Sequence, residues 1–199
     1  MKGLPLFTLV MLIATLLIAA LPTEAEAKIY EDTVRLHILA ESDSDSDQAL
    51  KLCLRDRILE KYGTRLASAE NKGEAEGLAR ELLGEIERDA LTWIRELGYS
   101  YGVEVSLSEE WYDTREYEDF TLPAGVYTSL RVIIGEGAGK NWWCVMYPPL
   151  CIDIATEDAP RDDATIDYTD EEIGLITEDG YIVKFKILEI ISSLFSKNG

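Results

Sequence analysis

Residues 122–151 read LPAGVYTSLRVIIGEGAGKNWWCVMYPPLC, and this stretch decides the fold. Within it, residues 126–134 (VYTSLRVII) are rich in β-branched and aromatic side chains, which suit a pleated, packed surface. Residues 142–147 (WWCVMY) have the same character, and the intervening GEGAGK supplies glycines able to take a positive φ. The pattern predicts two strands paired antiparallel across a glycine loop. Trp142 and Trp143 are neighbours, so on a strand they point to opposite faces. One can fill a core, while the other must lie under a helix or on a surface, where Trp is a favoured binding anchor. Arg131, on the face opposite Leu130 and Val132, poses the same alternative.

Upstream, residues 33–40 (TVRLHILA) alternate with the period of a half-buried strand, with Arg35 and His37 sharing one face as an expected surface pair. The polar ESDSDSD that follows offers Ser44 or Asp45 as an N-cap. A helix is predicted over 47–62 from Leu50, Leu54 and Ile58, ended by Gly63. A second is predicted over 72–97, with Leu78, Leu82, Ile86, Trp93 and Leu97 as its apolar face and Gly98 as its stop. Residues 101–107 return to period two and predict a strand, whereas 111–120 mix charge and aromatic rings without a clear period. Between 157 and 172 eight acids face the single base Arg161, which predicts a solvated, mobile loop over 155–180. Residues 181–195 (YIVKFKILEIISSLF) predict a closing helix. The expected fold class is α+β: an antiparallel sheet of about four strands, two long helices after the first strand, and a C-terminal helix packed on the sheet.

The first 27 residues read as an export address: Lys2, then an uncharged apolar run, then Pro22 and an Ala25-Glu26-Ala27 site. Cleavage is expected between Ala27 and Lys28, leaving 28–199 as one secreted domain. The rival is an uncleaved anchor, since about 18 apolar residues can just span a bilayer. The net charge of −19 disfavours nucleic acid and anionic lipid as partners. Three Cys in an oxidising compartment leave one unpaired. Cys144 and Cys151 flank Pro148-Pro149 and can close a short loop; two reduced, buried thiols are the alternative. Cys53, between Leu52 and Leu54, reads as a small buried hydrophobe.

Three apparent motifs fail on spacing. Asp43-Ser44-Asp45-Ser46-Asp47 imitates a calcium loop, but the required Gly and Glu positions hold Gln48 and Leu54. Gly135 to Lys140 imitates a phosphate loop, but Ile134 and Asn141 stand where Gly and Ser or Thr belong. His37 is the one His in the chain, and its neighbour Arg35 favours a polar pair over a nucleophile dyad. Paired carboxylates of the glycosidase kind are conceivable among so many acids, yet nothing singles out two of them. No catalytic group, metal, cofactor or small-molecule substrate is expected.

The segments RLHILAESD (35–43), DQALK (47–51) and Arg55-Asp56 resemble the N-terminal signature of the stage II sporulation protein R family. LPAGVY (122–127), LRV (130–132), GEGAGKNWWC (135–144) and PPLC (148–151) resemble its central signature. The resemblance covers roughly residues 33–153. Glu41 departs from it, since Asn is the expected residue there. The resemblance implies a protein exported from the forespore of endospore-forming Firmicutes into the space between forespore and mother-cell membranes. There it would activate a membrane-embedded aspartic protease that cleaves the precursor of sigma E. Arg131, Asn141, Trp142 and Trp143, with Arg35 and His37, are the candidate contacts to the extracytoplasmic portion of that protease. A peptidoglycan hydrolase or a septal scaffold in the same space are the alternatives.

Overall fold

The computed structural model describes residues 4–19, 24–117 and 121–149, arranged in two compact units. The larger holds residues 30–111 and, among those described, 126–149. Its sheet has the order β2-β5-β1-β6, built from β1 (Val34–Leu39), β2 (Val103–Tyr112), β5 (Gly125–Ile134) and β6 (Asn141–Tyr147). Helices α3 (Asp45–Ala67) and α4 (Lys72–Glu96) lie between β1 and β2 in sequence. The smaller unit includes α1 (Leu4–Ala19), most of α2 (Glu24–Glu31), and a two-stranded ladder of β3 (Arg115–Glu116) with β4 (Thr121–Leu122).

The fold is α+β as the pattern implied, but the sheet is mixed rather than antiparallel. β1 runs parallel to β5, with His37 opposite Arg131, and antiparallel to β6, with His37 opposite Trp143. The expected β5–β6 hairpin is therefore not formed, because β1 is inserted between the two strands. The glycine loop bridges a neighbour instead of making a tight turn: Gly139 N–H donates to the Ala40 carbonyl at 2.9 Å, just past the end of β1. At the other edge, Gly135 N–H donates to Gly102 O at 2.9 Å, so β2 starts where β5 ends and the two run in opposite directions.

Both faces of β1 are covered, and this corrects the half-buried reading of residues 33–40. Val34, Leu36 and Ile38 are buried on one face, and Arg35 and His37 on the other. Arg35 is fully buried, with its guanidinium 4.9 Å from the Tyr127 ring centre, so the expected surface pair is an interior one.

α3 starts on Ser44, whose hydroxyl accepts from Asp47 N–H at 3.2 Å. Its buried stripe of Leu50, Leu54, Ile58, Tyr62 and Leu66 keeps helical spacing straight past Gly63. That is why the helix does not stop there: burying Tyr62 and Leu66 outweighs the roughly 1 kcal/mol propensity cost of a helical glycine. α4 is capped by Asn71, which accepts from Glu74 N–H, while the Glu74 carboxylate accepts from Glu70 N–H. It ends at Gly98, φ 86°, with Tyr99 N–H donating to Ile94 O. Its buried face is Ala75, Ala79, Leu82, Ile86, Ala90 and Ile94. Leu97 is 40 % exposed, so the expected face was rotated toward the larger side chains. Ala75, Ala79 and Ala90 share the buried face with the fully buried Leu82, Ile86 and Ile94.

The expected acidic loop over 155–180, the closing helix over 181–195 and Cys151 lie outside the described residues. α1 is a helix of 16 residues with Phe7, Leu9, Val10, Met11 and Leu12 each more than half exposed. Among the described residues no helix is long and apolar enough to cross a membrane.

Candidate functional site

Two clusters gather the residues singled out in the sequence. The first is a clasp between the acidic loop after β1 and the glycine loop before β6. Glu41 Oε2 accepts from Glu136 N–H at 2.5 Å, and Asp43 Oδ1 accepts from Lys140 N–H at 2.6 Å. Charged acceptors make these stronger than ordinary backbone bonds. Lys51, reaching up from α3, donates to the carbonyls of Lys140 at 2.9 Å and Asn141 at 3.4 Å and to Gln48 Oε1 at 2.6 Å. Gln48 in turn donates to Ser42 O at 2.9 Å. Burial pushes the Lys51 ammonium below the usual lysine range, with Asp43 opposing the shift. Asp47 accepts from Ser42 Oγ at 2.5 Å and from Tyr101 OH at 3.1 Å. The Ser42 bond, helped by Ser44 and Tyr101 and opposed by burial, holds its carboxyl below the ordinary value. Tyr99 joins from the same side, its hydroxyl 2.6 Å from Ser46 Oγ.

The glycines of the loop are steric requirements. Gly135 and Gly137 have φ of 59° and 63°, which side-chain-bearing residues rarely adopt. A Cβ on Gly139 would press into the main chain of Ser42. Of the carboxylates that suggested a calcium loop, Asp43 and Asp47 are thus occupied as hydrogen-bond acceptors. Among the described residues no group of three or more His, Cys, Asp or Glu could hold a metal ion.

The second cluster is a row across the sheet on the face shared by Arg35 and His37. Glu110 on β2 places Oε2 2.9 Å from His37 Nδ1 and Oε1 2.8 Å from Arg131 Nε. His37 stacks on Trp143 on the far strand, ring centres 5.4 Å apart and planes inclined by 27°. One carboxylate from an outer strand therefore orients side chains on the two inner strands, and through His37 an indole on the other edge.

Of the six candidate contact residues, Arg131, His37 and Trp143 join this row, and Arg35 is buried on the same face. Trp142 points to the opposite face, half-buried, with the Arg55 guanidinium 4.9 Å from its ring centre. Asn141 is exposed at the start of β6. Cys53 is a free, half-buried thiol, whereas Cys144 is buried and disulfide-bonded; its partner lies outside the described residues. Sequence reasoning missed Glu110 and Lys51. Glu110 sits in a strand whose register was not assigned beyond Leu107, and only its pairing to β5 reveals what it faces. Lys51 has a visible signal, a lysine one position after Leu50 on the buried side of a helix.

The fold and the two clusters define a class: an α+β module whose loop-forming segments, distant in sequence, interlock through main-chain bonds to carboxylates. The stage II sporulation protein R family model matches residues 30–157, which include both loops of the clasp. The stage II sporulation protein R of Bacillus subtilis (strain 168) is 33% identical, over 84% of this chain and 84% of its own. No solved structure matches the chain. The chain belongs to the stage II sporulation protein R family, and its role is in sporulation.

Proposed function

We propose that this protein is an exported signal, not an enzyme, which activates a membrane-embedded aspartic protease so that the precursor of sigma E is cleaved in the mother cell. Membership of the family, over a match containing both loops of the clasp, is the observation that carries the reading. The apolar segment of α1 directs export and is removed between Ala27 and Lys28. The mature chain acts in the space between forespore and mother-cell membranes, where Cys144 pairs with Cys151. Activation follows from tighter binding to the active state of the protease than to the inactive one, since a ligand shifts an equilibrium only by its differential affinity. Arg131, Asn141, Trp142 and Trp143 are the proposed contacts. Arg35 and His37 support them from the interior.

The test is co-expression of the protease and the sigma precursor in a non-sporulating host, with and without this chain. Processing only in its presence is expected. Processing that does not depend on it would refute the reading. Glycan cleavage by the purified chain would favour a hydrolase, and receptor-independent assembly into large particles a scaffold.

A further inference from the structure

The terminal nitrogens of Arg131 are the unspent part of the row across the sheet. Its Nε faces Glu110, and its side chain is 29 % exposed. Nη1 and Nη2 have no hydrogen-bond partner among the described residues and are not among the buried unpaired atoms. Nε itself makes no aligned hydrogen bond, so Glu110 acts on the guanidinium as an ion pair 2.8 Å away. Because the guanidinium is a rigid planar fork, an ion pair on its Nε edge restrains the side on which the terminal pair lies. The carboxylate that does this is 18 % exposed, and its second oxygen is held by His37. Glu110 is therefore anchored on both sides and cannot swing to follow Arg131 out into solvent.

We propose that Glu110 is a positioning residue that aims the terminal N–H groups of Arg131 at main-chain carbonyl oxygens of a partner protein. This rests on the receptor reading above and adds to it the chemistry of one contact. An uncharged acceptor fits better than a carboxylate for two reasons. Arg131 already carries one carboxylate on its Nε edge. The chain's net charge of −19 makes a second costly, because like charges brought together at an interface oppose binding. Unpaired carbonyl oxygens cluster at helix C-termini, where the last four lack an intrahelical partner and a cation is favoured.

Two readouts test this on the mature chain. His37 is the one His, so its ring nitrogens give a single, assignable set of 15N resonances. With Glu110 as acceptor, Nδ1 carries the proton. Glu110→Gln is expected to move those resonances; a spectrum that does not change overturns the clamp whatever the receptor does. The second readout is binding to the purified extracytoplasmic portion of the protease. Arg131→Lys keeps the charge and loses the fork, and is expected to weaken binding about tenfold or more. Glu110→Gln is expected to weaken it similarly, and the double variant no further than Arg131→Lys alone, because the two act through one contact. If Glu110→Gln fails to fold, Glu110→Asp, one methylene shorter, gives the same comparison.

Unchanged affinity in Arg131→Lys, or additive losses in the double variant, would overturn the proposal. The loss in Arg131→Gln, which removes the charge as well as the fork, should be nearly the same at about 50 and about 300 mM NaCl, as an uncharged acceptor requires. A loss that shrinks with salt means a carboxylate partner and overturns the choice of acceptor. Absence of binding by the unaltered chain would remove the receptor reading and this contact together, a result distinct from all of these.

Discussion

Replacing Gly139 by Ala should be among the most damaging single-methyl additions in this protein, although the residue lies in an exposed-looking glycine loop. A Cβ there would stand closer than 3.0 Å to the main-chain O, C and Cα of Ser42. Those are backbone atoms of the opposing loop, with no flexible side chain to yield, so the loops must part. Parting them stretches three bonds: Gly139 N–H to Ala40 O, Lys140 N–H to Asp43, and Glu136 N–H to Glu41. A neutral bond contributes about 0.5–1.5 kcal/mol net and one to a charged group about 1.5–3. Losing the nearest two, with the third weakened, sets the cost at about 3–4 kcal/mol. At about 2–4 °C per kcal/mol for a chain of this size, the melting temperature should fall by roughly 6–16 °C. The assay is urea unfolding followed by Trp fluorescence, with Gly77→Ala as the internal comparison. Nothing stands within 4 Å of a Cβ on Gly77, inside α4, so that variant should gain about 0.5–1 kcal/mol from helix propensity. A Gly139→Ala variant within 0.5 kcal/mol of the unaltered protein would refute the clasp.

Reducing agent should destabilise the mature chain by about 2–3 kcal/mol, the chain-entropy value for a loop as short as that between Cys144 and Cys151; melts with and without dithiothreitol check this, and identical curves would count against the bridge. Asp47 is held below its ordinary value by the Ser42 bond first, so its contribution is full above about pH 4 and is lost as pH falls through the lower folded value. Asp47→Asn should therefore flatten the acid limb of the stability curve, and an unaltered acid limb would show that Asp47 does not drive it. Tyr62, in α3, donates to Asp89 of α4, and burial first, then that bond, pushes its phenol up to about 12. It stays protonated in the folded state where the unfolded chain ionises near 10, so stability should fall as pH rises from about 10 to about 12. Tyr62→Phe should remove that slope at a cost of about 0.5–1.5 kcal/mol near neutrality, read by urea unfolding at several pH values.

Elements that announce themselves by period and caps were legible in the residues. Ser44, Gly98 and the apolar runs of β5 and β6 lie where local chemistry predicts, because capping and φ preferences act over a few residues. What could not be read was which strands become neighbours. Antiparallel pairing of β5 with β6 is the short-range solution across a glycine loop. The inserted β1 comes from about ninety residues upstream, and nothing local signals it. The half-buried reading of residues 33–40 puts Arg35 and His37 at the surface, whereas β1, flanked by β5 and β6, buries both. Gly63 failed for a related reason, since its local propensity to end a helix was overridden by the burial of Tyr62 and Leu66. Of the candidate site, the residues on β1, β5 and β6 were legible as types, but their grouping depended on the same unreadable register. Glu110 gained its meaning only from being placed against Arg131 and His37.

The departure of Glu41 from the expected Asn also makes sense once the clasp is in view. What the site asks of residue 41 is one oxygen placed to accept from Glu136 N–H. An amide oxygen can accept that bond as well as a carboxylate can, although an amide also brings an NH2 group that needs its own partner. The carboxylate makes the bond charge-assisted and so stronger, at the cost of a negative charge near Asp43 and Asp47. That cost is offset locally: Asp43 accepts from Lys140 N–H, Asp47 accepts from Ser42 and Tyr101, and the buried Lys51 ammonium places a positive charge between the loops. Glu41, Asp43 and Asp47 of this acidic segment are therefore each held by hydrogen-bond donors. Glu41 and Asp43 are met by main-chain donors of a loop some ninety residues away, which is why the glycine run must be both flexible enough to turn and bare enough to approach.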